Sequence, residues 1–486
     1  MTPIIPAWPP SLSKQQLDVL TLEANAFALS HGLSYLPEGF EDPPTSAIHA
    51  PFTLLPTPFP RVLFQQAQGL QPLYNVLYSK VAMNTALIDE VMGAEVGAGA
   101  ADDFTGTLWK GWKGLRDQVT PWPQQTMQLG LFRSDYMLDT ASDGSTELKL
   151  SLKQVEFNTI AASFGALSDQ TSKLHKHLLN VSNFFGVSPS LVAENMPLNG
   201  SLTRLAAGLA AAHKQYGSMD ACILMVVQHR ERNIFDQRLL QYELLGNHGI
   251  VVLRLTFDEL ISSATVDPAT GVLSVNHALG SAREVAVIYY RAGYSPADYS
   301  SFEHFQVRFK LEASRSIKCP SIPLQLAGGK KMQEYLTRPG ILESVLHNHP
   351  HSTLEQLREN WVQMWSLDAE GAVSRVFEQH RNLVLKPQRE GGELPQKELP
   401  AWIAMQLICP PNNIFNYMVK TGKPQNVCTN VVTELGIFGW SLFGQHGGGE
   451  NIIEEAAGWL ARTKGKESDE GGIAVGFSVL DSIVLV

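Results

Sequence analysis

The segment LVLKPQREGG, residues 383–392, combines an apolar run with charged residues and two glycines. Its first residues predict a strand, and its glycines predict a turn that another group can approach closely. Lys386 can neutralise a phosphate, Glu390 can hold a divalent cation, and the backbone N–H groups of Gly391 and Gly392 can bind an anion. The segment therefore indicates a phosphate and magnesium site, although a surface hairpin with ordinary charges has the same composition.

The overall composition is that of a folded globular protein. The chain has 486 residues, 44% hydrophobic and 17% charged, which allows two or three substructures with buried cores. A formal net charge of -10 argues against nonspecific nucleic-acid binding. The four cysteines show no Cys-x-x-Cys spacing and predict reduced thiols. Since the sequence shows no secretory leader or apolar run of membrane-spanning length, we expect a cytoplasmic protein.

Two helices are predicted in the N-terminal region. Ser13 and Gln16 form a capping-box pattern before an apolar face that begins at Leu17. A second apolar face at helical spacing predicts a helix over residues 72–92. The glycine-rich stretch at 93–99 follows this helix rather than a strand, so it predicts a helix-ending loop and not a dinucleotide-binding turn.

Two strands, over residues 129–137 and 148–157, are predicted next. The second runs into VEFNTI, in which Glu156 and Asn158 are two residues apart and share one face of a strand. A carboxylate and an amide oxygen that converge in this way suit magnesium. The alternative is the polar edge of a half-buried strand.

The region 219–326 alternates between strands and helices. Its apolar runs of strand length are residues 221–227, 249–255 and 285–290. With an amphipathic helix at 235–245, these runs predict a βαβ arrangement and a parallel sheet, whose sites gather at the carboxyl ends of the strands. We therefore predict that 219–326 is an inserted α/β domain that binds substrate, between body segments 1–218 and 327–486.

The C-terminal part contains further cations beside small residues. Lys330 follows a glycine pair, which is typical of a phosphate contact or of an ordinary helix entry. Arg462 and Lys464 alternate on a predicted strand, so both can face one anion. Small residues bracketed by glycines at 469–477 predict a mobile lid. The sequence lacks the zincin, nucleophile-elbow and P-loop motifs, which argues against those enzyme classes.

Eight motifs, in order along almost the whole chain, resemble those of the eukaryotic glutathione synthetase family of ATP-grasp ligases. They begin at Phe132 (FRSDYM), Val155 (VEFNTI), Glu231 (ERNIFDQR), Arg291 (RAGY), Gln325 (QLAGGKK), Leu385 (LKPQREGG), Thr433 (TELGIFG) and Ala461 (ARTK, then EGGIAVG). The resemblance implies an α/β (α+β) ATP-grasp fold with an inserted small parallel α/β substrate-binding domain. It also implies that ATP lies between two antiparallel sheets beneath a glycine-rich and an alanine-rich lid loop.

The resemblance implies a set of residues for each ligand. Magnesium would be held by Glu156, Asn158 and Glu390. ATP would contact Glu156, Lys330, Lys386, Glu390, Gly391, Gly392, Met405, Ile408, Glu434, Lys464 and Glu470. The dipeptide γ-glutamylcysteine would contact Arg133, Ile160, Ser163, Glu231, Arg232, Asn233, Gln237, Arg291, Gly293, Tyr294, Arg462, Ile473 and Ala474. The catalytic cations would be Arg133, Lys386 and Arg462.

The activity implied by the resemblance is the ATP-dependent ligation of γ-glutamylcysteine with glycine. An acyl phosphate would form first, and ADP and phosphate would be released. The family resemblance also implies a homodimer. The net charge argues against nucleic acid as a partner, and the lack of an apolar run of membrane-spanning length argues against a membrane.

Several positions depart from the family pattern. Glu393 follows Gly392, where the family has a third glycine and two asparagines, so the loop is either truncated or incomplete in this sequence. Ala161 and Ala292 replace a serine and an aspartate, and Val475 replaces a small alanine. These departures leave two alternatives open: a sister ligase that uses β-alanine or another amino acid, and a catalytically weak dimeric binding protein.

Overall fold

Helices and strands are interspersed along the whole chain. The computed structural model describes residues 5–120, 125–140, 150–278, 280–388, 396–423, 427–446, 449–467 and 478–486. The α-helices within these ranges are α1 Lys14–Ser30, α2 Arg61–Met83, α3 Thr85–Met92, α4 Asp103–Arg116, α5 Gly165–Ser182, α6 Ser201–Tyr216, α7 Ile234–His248, α8 Phe257–Ser263, α9 Phe302–Ala313, α10 Ile322–Ala327, α11 Lys330–Leu336, α12 Ile341–Val345, α13 His351–Asn360 and α14 Ala372–Gln379. The strands are β1 Ser34–Tyr35, β2 Ile48–His49, β3 Phe52–Thr53, β4 Thr57–Phe59, β5 Gln128–Asp139, β6 Ser151–Asn158, β7 Cys222–Val226, β8 Val252–Leu255, β9 Ala264–Val266, β10 Leu273–His277, β11 Gly280–Tyr290, β12 Ile317–Cys319, β13 Met364–Ser366, β14 Leu383–Lys386, β15 Ile403–Gln406, β16 Phe415–Val419, β17 Cys428–His446, β18 Gly449–Gly465, β19 Ser478–Asp481 and β20 Ile483–Leu485.

One mixed sheet of 13 strands runs through the protein. The long strands β17 and β18 pair antiparallel, and β17 also pairs antiparallel with β5. On its other side β5 pairs antiparallel with β6. A separate antiparallel sheet has the strand order β13–β15–β14. Strands β5, β6, β17 and β18 therefore bring together segments from distant parts of the chain, since β6 ends at Asn158 and β17 begins at Cys428.

The predicted βαβ arrangement is present. Helix α7 connects β7 to β8, and these two strands pair in parallel. Strand β11 pairs in parallel with β7, and β12 pairs in parallel with both β11 and β5. The sheet of this region is thus continuous with that of the remaining chain. The division into a separate domain at 219–326 stays a prediction.

The structure confirms the predicted start of the first N-terminal helix and corrects the bounds of the second. At α1, Ser13 Oγ accepts the Gln16 N–H, and Gln16 Oε1 accepts the Ser13 N–H, which confirms the capping box. The predicted helix over 72–92 is wrong in its bounds. Helix α2 begins at Arg61 and continues through Pro72. The burial of an apolar face on both sides of this proline explains why it does not start the helix.

A break at Asn84 separates α2 from α3. The Asn84 side chain accepts the Leu87 N–H at 3.1 Å and so caps the start of α3.

Among the described residues, no helix is both long and apolar enough to cross a membrane. All four cysteines are free thiols, two of them buried.

A buried carboxylate connects the C-terminal strands to the N-terminal ones. Asp481 on β19 accepts hydrogen bonds of 2.6 Å from the hydroxyls of Thr53, Thr57 and Thr463 and one of 2.7 Å from the Ser482 N–H. Burial raises the pKa of Asp481 to about 6, although these hydrogen bonds oppose the shift. Asp481 thus stabilises the junction of β3, β4, β18 and β19.

We expect Asp481→Ala to lower the free energy of unfolding by about 2–3 kcal/mol, because three buried hydroxyls lose their acceptor. Urea unfolding measures this change. The pKa of Asp481 is higher in the folded chain than the usual 3.8, so the folded chain holds the proton more tightly. The contribution of this residue to stability should therefore fall as the pH rises from about 4 to about 6. Equal unfolding midpoints for the two proteins across this pH range would contradict the assignment.

Candidate active site

The candidate site is built on the adjacent strands β5 and β6. Arg133 lies opposite Asn158, and Asp135 lies opposite Glu156. The amide nitrogen of Asn158 lies 3.3 Å from Glu156 Oε1 and 2.9 Å from Asp135 Oδ2, and it donates to both. The predicted convergence of Glu156 and Asn158 on one face is therefore present.

Cations surround Glu156. Lys330, the first residue of α11, donates from Nζ to Glu156 Oε2 at 2.6 Å. Burial disfavours the charged carboxylate, but Lys330, Lys386 and Arg462 together hold the pKa of Glu156 well below its usual value. Glu156 is therefore ionised at neutral pH.

Lys386 is the last residue of β14, which pairs antiparallel with β15. Burial, together with the nearby charge of Lys330, lowers the pKa of Lys386 to about 8, and Glu156 and Glu434 partly offset this effect. The positive charge of Lys386 is thus costly, and an anionic ligand would stabilise it.

The hairpin of β17 and β18 contributes a second ionic group. Arg462 lies opposite Glu434 and donates from Nε to Glu434 Oε1 at 2.9 Å. It also donates to Asp135 Oδ2 at 3.1 Å. Arg133 makes two hydrogen bonds to Asp135, of 2.6 and 2.8 Å, and a third of 3.3 Å to the Ser163 carbonyl oxygen. Burial raises the pKa of Glu434, with Arg462 opposing the shift.

The turn that contains Ser163 is held by Asp236 of α7. The Asp236 carboxylate accepts the backbone N–H groups of Phe164 and Ala166, each at 3.0 Å. It also accepts a 3.0 Å hydrogen bond from the buried Arg291 guanidinium, which follows β11. Asp236 therefore connects Arg291, in the predicted substrate-binding region, to the segment after β6.

The predicted substrate contacts within the ERNIFDQR motif, residues 231–238, are held by local hydrogen bonds. Glu231 accepts the Asn233 N–H at 2.8 Å and the Gln237 amide at 3.3 Å. Arg232 donates from Nε to the Leu36 carbonyl oxygen at 3.1 Å. These contacts fix the turn between β7 and α7, at the carboxyl end of a parallel strand.

Gly293 and Tyr294 lie beyond the carboxyl end of β11. Both backbone N–H groups donate to Asp298, at 2.9 and 3.2 Å. Gly293 has a φ of 92°, which a residue with a side chain rarely adopts. Ile160 is half-buried and packs against the apolar core of this region.

An apolar cluster lies beside the charged groups. Met405 and Ile408 pack with Val362. Half-buried hydrophobic residues packed against this cluster are Met137, Val155, Met364 and Val384. The cluster includes residues of β5, β6, β13, β14 and β15, so it lies where the two sheets approach each other.

Lys464 is half-buried on β18, two residues after Arg462 and on the same strand face.

Six predicted site residues lie outside the described residues: Glu390, Gly391, Gly392, Glu470, Ile473 and Ala474. Within the described ranges, no group of three or more His, Cys, Asp and Glu side chains could hold a metal. The described oxygen donors nevertheless fit magnesium. Glu156 is ionised, and a carboxylate with an amide two residues away on the same strand is the type of oxygen donor set that magnesium takes.

The sequence matches the family model described as the ATP-binding domain of eukaryotic glutathione synthase over residues 14–485. The chain belongs to the eukaryotic glutathione synthetase family. It is 36% identical to the glutathione synthetases of Mus musculus and Homo sapiens, each match covering 96% of this chain and 97% of the relative. The match to the chloroplastic glutathione synthetase of Arabidopsis thaliana is 34% identical and covers 98% of this chain and 86% of the relative.

A solved structure has the same fold. It is that of a glutathione synthetase-like effector from Globodera pallida in its apo form, with a TM-score of 0.75, 24% identity and 98% of each chain covered. The resemblance and the ATP-grasp fold expected from the sequence are thereby confirmed. As a member of the glutathione synthetase family, the chain is an ATP-dependent ligase of glutathione synthesis.

Two carboxylates at the centre of the site were missed by the sequence analysis. Asp135 connects Arg133, Asn158 and Arg462, and Asp236 connects Arg291 to the turn at Ser163. A signal for Asp135 was available, because an acid two residues after Arg133 shares its strand face. Asp236 had a weaker signal, an acid in the first turn of α7.

We expect ATP binding to be accompanied by proton uptake above about pH 8, because Lys386 is then largely neutral and phosphate oxygens favour its charged form. Calorimetric titration of ATP at about pH 9, in two buffers of different ionisation enthalpy, measures the number of protons. ATP affinity should also fall as the pH rises through about 8.

Lys386→Met should abolish this uptake, whereas Lys310→Met, at a lysine of α9 outside the site, should preserve it. Uptake that persists in Lys386→Met would assign the proton to another group and contradict the prediction.

Proposed function

We propose that this chain joins γ-glutamylcysteine to glycine, with ATP and magnesium, at the site on β5, β6, β14 and β18. The observation that supports the proposal is the convergence of cations from four separate segments on this face. Lys330, Lys386 and Arg462 act together on Glu156, and Arg133 and Arg462 share Asp135.

The chemistry requires charge neutralisation more than a protein nucleophile. A carboxylate is a poor electrophile, so its oxygen first attacks the terminal phosphorus of ATP, forming an acyl phosphate and releasing ADP. The glycine nitrogen then attacks the acyl carbon, a C–N bond forms, the C–O bond to phosphate breaks, and the amine loses a proton. Phosphoryl transfer of this kind depends on alignment and electrostatic stabilisation.

The cations divide between the two substrates in this proposal. Lys330 and Lys386 neutralise the ATP phosphates, with Lys464 on the same side. Arg133 and Arg462 hold the reacting carboxylate and the acyl phosphate. Their guanidinium groups present paired N–H donors, which match the geometry of carboxylate and phosphate oxygens.

Further contacts would orient the two substrates. The apolar cluster of Met405 and Ile408 is a suitable surface for the adenine ring, and Glu434 would fix the ribose or the adenine edge. The proposed dipeptide contacts are Ile160, Ser163, Glu231, Arg232, Asn233, Gln237, Arg291, Gly293 and Tyr294. Their placement at the carboxyl ends of β6, β7 and β11 supports this assignment.

Magnesium would be held by Glu156 and Asn158, together with Glu390 as expected from the sequence. When bound, the ion would supply positive charge that neutralises the ATP phosphates. Lys330 pairs with Glu156 in the structure. When ATP binds, Lys330 would exchange this carboxylate for a phosphate oxygen.

The proposed activity is tested by phosphate release from ATP and γ-glutamylcysteine with glycine, with β-alanine or with no amine. We expect release that depends on glycine and stops when a chelator removes magnesium, because the acyl phosphate forms only with neutralised phosphates and is consumed by the amine. Mass spectrometry of the product identifies the peptide.

Three results would contradict parts of this proposal. A preference for β-alanine would move the assignment to a sister ligase. Release that continues in the chelator would remove the metal. No amine-dependent release would favour a binding protein, the second alternative left open by the sequence.

We also propose a cytoplasmic homodimer. The free thiols support a reducing compartment. The exposed face of α1 supports association, because Val19, Leu22 and Leu29 lie on one stripe with 45%, 70% and 52% of their surface exposed.

We expect Leu22→Asp to convert the dimer to a monomer, since a charge would be buried at the interface. Sedimentation equilibrium measures the mass. Val62→Asp is a matched control, because Val62 is also 70% exposed but lies on α2, and it should leave the dimer intact. A dimer that persists in Leu22→Asp would exclude α1 as the interface.

A further inference from the structure

One buried carboxylate holds three of the proposed site residues. Asp135 is 1% exposed. Its Oδ1 accepts Arg133 Nε at 2.6 Å, and its Oδ2 accepts Arg133 at 2.8 Å, Asn158 at 2.9 Å and Arg462 at 3.1 Å. The three donors come from β5, β6 and β18, so the contacts cross the sheet.

Arg462 reaches Asp135 across an intervening strand. Strand β17 lies between β18 and β5, with Gly436 directly opposite Asp135. Arg462 itself lies opposite Glu434, two residues before Gly436. A Cβ at position 436 would lie 2.7 Å from Asp135 Oδ1 and 2.8 Å from Arg133 Cδ. The missing side chain of Gly436 therefore provides the space that the Arg133–Asp135 pair occupies.

The arrangement determines the separation of two like charges. Two guanidinium groups near each other repel unless an anion lies between them. Asp135 provides that anion and orients both planar groups through directed hydrogen bonds. Glu434 also accepts from Arg462, but among the described contacts of Glu434 none is with Arg133. Asp135 is thus the carboxylate that both arginines share.

We propose that Asp135 is a positioning residue, which fixes Arg133, Arg462 and Asn158 relative to one another so that the dipeptide carboxylate is aligned with the terminal phosphate of ATP, and that Gly436 provides the space for this arrangement. The inference rests on the roles proposed above for the two arginines. The alignment of Arg133 and Arg462 would then depend on Asp135, which touches neither substrate.

Asp135→Asn is the direct test, because it keeps the side-chain shape but removes the charge and replaces one acceptor oxygen with a donor. We expect kcat to fall about 100-fold, as for a misplacement of about 1 Å in the reacting groups. The KM for γ-glutamylcysteine should rise. The calorimetric affinity for ATP, measured without magnesium, should change by less than about threefold, because the phosphate lysines and the apolar cluster are untouched.

Gly436→Ala is a second variant that keeps every charge. Its methyl group must displace the Arg133–Asp135 pair, so it should reproduce the loss of kcat and the retained ATP affinity. If Asp135→Asn does not fold, this variant tests the same geometry.

Asp481→Asn is the matched control for burial. Asp481 is also a fully buried acid that accepts four hydrogen bonds, but its donors are three hydroxyls and a backbone N–H. We expect it to lower the melting temperature without a change in kcat. A structural role alone would make the Asp135 and Asp481 variants behave alike.

Different variants test the positioning role of Asp135 and the proposed roles of the two arginines. If Asp135→Asn and Gly436→Ala lose only thermal stability and keep kcat and the dipeptide KM, the positioning role is overturned. If Arg133→Met and Arg462→Met themselves retain full activity, the proposed roles of the arginines fail instead. Loss of kcat in the arginine, Asp135 and Gly436 variants, with ATP affinity retained in the last two, supports both.

Discussion

The pairing of two guanidinium groups with the buried carboxylate of Asp135 constrains much of the structure around the site. Charges that are removed from water must be paired and hydrogen-bonded, or the folded state is strongly destabilised. Here the pairing is possible only if β5, β6, β17 and β18 keep one register. A slip by one residue would turn Arg133 or Arg462 to the opposite face of the sheet.

The same requirement holds around Glu156. Glu156 is ionised because cations from α11, β14 and β18 lie around it, and the charge on Lys386 is costly until an anion arrives. The charge of Lys386 is therefore only partly offset by the carboxylates around it. A polyanionic ligand would offset this charge further, and electrostatic stabilisation of this kind does not need a nucleophilic side chain.

Local physical rules predicted several of these features. The period of two along a strand placed Glu156 and Asn158 on one face, and the capping box located the start of α1. The parallel pairing of β7 and β8 followed from alternating strand and helix signals. The bounds of α2 were not predictable in this way, because the burial of residues on both sides of Pro72 outweighs the tendency of proline to end a helix.

The amino-acid sequence by itself determined the main strand and helix types, the family, and which chemical groups are available to bind phosphate and a cation. Only the tertiary structure decided that Arg133, Asn158 and Arg462, on three different strands, share the buried carboxylate of Asp135. Contacts of this kind depend on strand order, register and the space left by Gly436. A sequence pattern reports the face on which a residue lies, whereas the partner on that face is chosen by packing.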